Sequence, residues 1–454
     1  MRKWTTRFLL LTFLNAYPVC AQENLYPLAE VVRRVVERDP GVKARQAESE
    51  AARSEARRAE TLRLPKFYLS ADLGGGKVVN DVANVLLTGL TPASVTDPKT
   101  RTRLADLSAN RPFLVPGARL ENVLFDGGRT SAAIRSAWLG EDKAEIEQAR
   151  SREDEAFATA AEFLSLAHGQ VLARYLEDYA RVAELSATAL ARQAEAGRIT
   201  AARALTGQAK VQDVRAGLEN NRDDLRFSSD LLRQRAGLPA EAAFDTRPLE
   251  ARLEAFEFAS LPGDPDLGNN ALVRSASLNE RIQEQQLRVA KAQRFPELKF
   301  VAEYGFAFSA LLFSFRPGYT VGVRATYPLF TSREVERNIH TELRRLDVAG
   351  LRQEKARAAV RQDYSRLEIE NRKMGRQLEA ARSQLAQAQE IYRVARLKYD
   401  QGAGLPSELL EAAELLLNSR QRCLELARSS LLVRWEALRF QSKLLAEVQR
   451  GATP

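Results

Sequence analysis

Two glutamates, Glu408 and Glu411, stand three residues apart, just past the turn-forming run Gly402-Ala403-Gly404-Leu405-Pro406. On a helix that spacing puts both carboxylates on one face, one turn apart. Like charges held that close repel one another and draw in cations. Acids in the first turn of a helix also offset its positive end, a role that needs no cation. The two histidines, His168 and His340, each stand alone in a polar helical pattern and read as solvated surface residues. No GxxxxGK[ST], HExxH or CxxC occurs, and "GAGLPS" follows no strand pattern, so it is not a dinucleotide loop. The sequence therefore assigns no catalytic residue, no metal site and no cofactor, and it reads as non-enzymatic.

The carboxylates need an element to hold them, and helices dominate what surrounds them. Residues Arg129 to Ala196 and Arg333 to Gln401 run almost unbroken in helical composition. At 1.5 Å per residue each would span roughly 100 Å. Helices that long must pack side by side. Before the second turn, Leu378, Leu385, Tyr392 and Tyr399 recur every seven residues, with Ala381, Ala388 and Ala395 three residues on in each heptad. That alternation of large and small is a coiled-coil seam. The first long helix swaps the sizes, with Ala173, Ala180, Ala187 and Ala194 against Leu176, Ala183 and Leu190. The returning helices carry stripes of their own, Ala204 to Leu232 and Leu410 to Leu438, also seven apart. Gly402 and Gly404 free the backbone to reverse, Pro406 opens the returning helix, and Ser407 or a neighbour caps it.

The chain is written twice. Pro65 matches Pro296 at an offset of 231, while Phe125 matches Phe330 and Gly197 matches Gly402 at an offset of 205. The difference lies in a polar insertion around Val78 to Arg111 of the first half. Each half reads helix, two strands, long helix, Gly turn, return helix. The boundaries are a first repeat over 22–238, a crossover rich in Pro, Gly and acids over 239–270, a second repeat over 271–445, and a tail over 446–454.

The strands fall at roughly 67–76, 113–125, 298–308 and 319–329. After Pro296, Leu298, Phe300, Ala302, Tyr304, Phe306 and Phe308 face one side, and Lys299, Val301, Glu303, Gly305 and Ala307 the other. Tyr319, Val321, Val323, Ala325 and Tyr327 repeat the pattern. A soluble hairpin would need a partner layer for its apolar side, and the flanking helices are too polar and too long to supply one. A transmembrane barrel turns that side to lipid. Four strands cannot close a barrel, since eight is the usual minimum, so closure requires several copies.

The first residues have the form of a secretory signal over 1–21. Arg2, Lys3 and Arg7 precede an apolar run too short to span a bilayer, and Val19-Cys20-Ala21 offers small residues for cleavage. Cys20 is alternatively a lipidation site. Its removal leaves Cys423 alone, so no internal disulfide staples the chain. The net charge is +9, and losing the three basic residues of the signal leaves +6. That is mild and dispersed, against a nucleic-acid partner.

The conjunction resembles the TolC-like outer-membrane efflux proteins of Gram-negative bacteria. It is carried by "LAEVVRRVVERDPGVKARQAESEAARSEARRAETLRLPKF", "LFDGGR", "LKYDQGAGLPSELLEAAELLLNSR" and the twofold repetition, over nearly the whole chain after the signal. The resemblance implies an α plus β membrane protein. Three copies would form a 12-stranded outer-membrane β-barrel continued through the periplasm by an α-helical barrel of long coiled helices. It implies a passive exit duct of a tripartite efflux pump or type I secretion system, docked to a periplasmic adaptor and an inner-membrane transporter. Gly197, Arg198, Gly402, Ala403, Gly404 and Leu405 then become adaptor-contact candidates. Glu408 and Glu411 fall where the family lines a closed entrance with acids, and Tyr399 matches an entrance tyrosine; helix-dipole compensation remains the other reading of the two acids. The sequence departs from the family at Gly404 and Arg203, where some members place a gating Arg and an Asp. Arg203 is free to pair with Glu408 or Glu411 instead. The alternative to a duct is a periplasmic or surface coiled-coil structural protein without a pore.

Overall fold

The computed structural model describes residues 25–76, 111–262, 267–309 and 314–450. The expected signal and most of the polar insertion lie outside them. The chain forms two compact units, and each draws on both halves of the sequence. The two longest helices each contribute residues to both units.

The first unit comprises residues 1–43, 151–265 and 364–454. It begins with β1 (Leu25–Pro27) and α1 (Leu28–Arg38). β1 pairs in parallel with β4 (Ala243–Asp245), which lies in the crossover and leads into α5 (Arg247–Glu254). Neither strand is legible in the sequence, because three residues are too few to show a period. The unit also holds the larger parts of α3 (Arg129–Glu195) and α7 (Glu334–Asp400), and all of the return helices α4 (Ala201–Ala236) and α8 (Pro406–Phe440). The chain closes with α9 (Leu444–Gln449), which crosses the expected end of the second repeat at residue 445. Leu444 and Val448 are buried in the same cluster as Val31, Phe163, Leu424 and Trp435, and that burial continues the ordered chain past the boundary.

The heptad stripes are where the helices meet. Leu378, Ala381, Leu385 and Ala388 bury against Leu416 and Cys423 of α8. Leu176, Ala183 and Ala187 join Val211, Leu218, Leu410 and Leu417 in a cluster that links all four helices, with Tyr392 and Tyr399 packed on it. Small residues on one helix admit large ones from its neighbour, as close packing requires.

The second unit comprises residues 44–150 and 266–363. Here α2 (Pro40–Glu60) ends and a single 3₁₀ turn leads into β2 (Lys66–Gly76). β3 (Arg111–Phe125), α6 (Ala271–Ala292), β5 (Glu297–Ser309) and β6 (Ser314–Thr326) complete it with the adjoining ends of α3 and α7. The four strands form one antiparallel sheet in the order β2-β3-β5-β6. β6 stops at Thr326, short of the expected 329, because Pro328 has no amide hydrogen to donate to a ladder. A register shift at Val123/Phe125 ends the regular pairing of β3.

Candidate functional site: the hairpin turns and the amphipathic sheet

Both turns between long helix and return helix close in the same way. After α3, the Arg198 amide donates to the Gln193 carbonyl at 2.8 Å and Gly197 to Ala194 at 3.0 Å. After α7, Ala403 donates to Lys398 at 2.9 Å and Gly402 to Tyr399 at 3.0 Å. This double bridge is the Schellman motif, which satisfies carbonyls that a helix end leaves free. Gly197 and Gly402 have φ of 67° and 73°, the left-handed region that a side chain disfavours.

Gly404 corrects the sequence reading. Its backbone is not left-handed, yet a Cβ there would lie 2.9 Å from the Tyr399 nitrogen and 3.0 Å from the Lys398 Cβ. Glycine is needed at 404 for close approach, not for reversal. The expected side-chain cap from Ser407 or a neighbour is also absent among the described residues. Leu405 is the N-cap residue and makes no side-chain cap bond, while Pro406 sits in the first turn as expected. Gly197, Arg198, Gly402, Ala403 and Leu405 are all exposed, and Gly404 is half-buried.

Glu408 and Glu411 are exposed and share a cleft of about 510 Å³ between α7 and α8. Its apolar wall is Ile391, Val394 and Leu415, and Glu390 and Lys398 complete its charged lining. Tyr399 is half-buried and lines a different cleft, with Arg181, Glu184 and Arg192 of α3. Arg203 is exposed and, among the described residues, makes no ion pair with either glutamate. The expected pairing is therefore not made within one chain. A bond the sequence reading missed joins the two return helices instead: Lys210 Nζ donates to Glu414 Oε1 at 2.6 Å. Lys210 and Glu414 are 204 residues apart, and nothing in the chain near either one signals the other.

His168 also differs from its reading as a surface residue. It lies on the packed side of α3 with its Nε2 buried and unpartnered. Burial, with the Arg428 guanidinium nearby, pushes its pKa down to about 4. His340 is exposed, and Cys423 is buried as a free thiol. Among the described residues, no group of three or more His, Cys, Asp or Glu could hold a metal ion.

The sheet of the second unit has two chemically opposite faces. Register aligns Phe67 with Leu120, Leu120 with Ala302, and Ala302 with Val321 on one face. That face also carries Leu69, Tyr304, Tyr319 and Val323 and is open, with Leu69 83% and Tyr319 81% exposed. On the other face Arg119 bonds Glu303 at 2.8 Å, and Arg324 approaches the same carboxylate at 3.6 Å. β2 and β6 each have a partner on one side only, so the sheet has two unpaired edges among the described residues. No helix there is long and apolar enough to cross a membrane.

Residues 266–441 match the model of the outer membrane efflux protein family. No curated protein matches the chain. Among solved structures, the outer membrane protein VceC from Vibrio cholerae is 18% identical with a TM-score of 0.71, covering 90% of this chain and 95% of that one. A membrane protein from Pseudomonas aeruginosa is 16% identical with a TM-score of 0.74, over 91% and 90%. The Campylobacter jejuni outer membrane channel CmeC is 15% identical with a TM-score of 0.69, over 92% and 86%. The chain has the fold of these proteins over nearly its whole length.

Proposed function

We propose that this chain is one subunit of a passive outer-membrane exit duct serving a tripartite efflux pump or a type I secretion system. Three copies pool their sheets into a 12-stranded barrel in the outer membrane, and their long helices continue it as a tube into the periplasm. The exported chain begins after the signal at 1–21. Its two repeats, 22–238 and 271–445, flank the crossover at 239–270 and precede the tail at 446–454. The duct carries no catalytic group. An inner-membrane transporter drives export, and a periplasmic adaptor docks at the turns through Gly197, Arg198, Gly402, Ala403, Gly404 and Leu405.

The observation that carries this reading is the sheet. Its exposed apolar face suits lipid, and its ion-paired face suits a wet lumen. Unpaired backbone edges are not tolerated inside a bilayer, so the β2 and β6 edges must find partners on other copies. The family match over the second repeat and the fold likeness support the same reading. At the entrance, Glu408 and Glu411 from three chains form two rings of carboxylate that favour cations. Tyr399 and Arg203 belong to the same entrance, with Arg203 directed to a neighbouring copy.

The test is assembly and conductance together. The purified protein in detergent should have the mass of three chains and should open ion-conducting channels in planar bilayers. A monomer that stays soluble without detergent and conducts nothing would end the proposal.

A further inference from the structure

One cavity of the first unit plays no part in the duct reading. It measures about 520 Å³ and lies among α3, α7 and α8, with Arg396 as its lining residue nearest the second hairpin turn. Tyr175, Tyr179 and Tyr392 wall it, over a floor that includes Leu416 and Leu417. Three guanidiniums line it, from Arg181, Arg396 and Arg420, against one carboxylate, Asp178.

That carboxylate is already shared. Asp178 is ion-paired to Arg181 and lies 3.5 Å from Arg420. Arg420 also lies over the Tyr175 ring, 5.2 Å from its centre. The third cation, Arg396, bonds Asp400 at 3.0 Å, one turn along its own helix and outside the lining. The lining thus carries an excess of positive charge beside aromatic walls, and the Arg420 side chain is only 28% exposed, so water screens it incompletely.

We infer that this cavity is a binding site for a planar aromatic anion. The ring enters between the tyrosines and rests on the leucine floor, and its carboxylate or sulfonate meets the Arg396 fork in a two-point bond. Guanidinium planes also stack on aromatic rings, which an ammonium group does poorly. An aromatic cation is the obvious competitor, because tyrosine faces attract cations. Here Arg420 already occupies the face of Tyr175, and the surplus guanidinium charge repels a second cation. An aliphatic anion would satisfy Arg396 but would lose the contact with the rings.

All lining residues belong to one chain, so occupancy is read by binding alone and does not depend on the duct reading. The probe is 2-naphthoate, titrated calorimetrically into the full-length protein in a non-ionic detergent. It should bind saturably at one site per chain. Arg396→Gln should weaken it about tenfold, the loss of one charge-assisted pair. Arg393→Gln, which removes an exposed arginine of the same helix that does not line the cavity, should leave it unchanged. Tyr392→Leu should weaken it as well, and far-ultraviolet circular dichroism should find both cavity variants as helical as the parent. Absence of saturable binding overturns the inference. So does equal weakening by Arg393→Gln and Arg396→Gln, or binding of decanoate or of 2-naphthylmethylammonium as tight as that of 2-naphthoate.

Discussion

Gly402 and Gly404 look alike in the sequence and answer to different physics. Gly402 is left-handed with open space around its missing Cβ, so Gly402→Ala meets only backbone strain. That should cost about 1 kcal/mol and lower the melting temperature by a degree or two for a chain of this size. Gly404→Ala places a methyl within 2.9 Å of backbone that cannot retreat, and it should open the turn. Limited proteolysis between Asp400 and Pro406 should accelerate in Gly404→Ala and change little in Gly402→Ala. For the acids, the double variant Glu408→Gln, Glu411→Gln should lower the cation preference of single channels. An unchanged reversal potential in a salt gradient would leave only helix-dipole compensation for the two residues.

At the scale of elements, the docking of α9 is the point most open to titration. Glu153 of α3 is buried, and its Oε2 accepts the Leu445 amide at 3.2 Å, so a carboxyl from one helix caps another. Desolvation pushes its pKa up to about 7, against the pull of the Leu444 and Leu445 amides and of Arg439, with Asp154 adding to the rise. A raised carboxyl pKa means that the folded state prefers the proton. The stabilisation is complete below the ordinary value near 4.5 and is lost as pH rises through about 7. It is on the order of 3 kcal/mol. Hydrogen exchange in α9 should therefore quicken, beyond the intrinsic base catalysis, between pH 5 and 8. In Glu153→Gln that excess should vanish. His168 works in the opposite sense. Its lowered pKa means its contribution is present above pH 6.5 and is lost as pH falls through about 4. The coiled seams belong to this scale too. Leu424→Ala, at a fully buried position of the α8 stripe, should cost about 2 to 5 kcal/mol.

At the scale of the whole molecule, the two open edges of the sheet govern behaviour. Cysteines placed along the outer edges of β2 and β6 should cross-link between copies and not within one. A ladder ending at three chains on a denaturing gel would register it, and cross-linking confined to single chains would argue against closure by pooling.

Much of this architecture is legible in the linear chain. Heptads at Leu378, Leu385 and Tyr392 and alternation at Leu298 to Tyr304 are periodic, and periodicity is what a chain records of the face it will bury. The four long strands come from the same kind of signal, and the Gly turns from the places where the helical period breaks. What only the tertiary structure decided lacks any period. The three-residue pairing of β1 with β4, the Lys210–Glu414 bond, the burial of His168 and the capping of α9 by Glu153 each join residues far apart in the chain. A sequence states which faces are apolar and how often they recur. It does not state which distant group will arrive opposite a given side chain, because that is settled by packing all the faces at once.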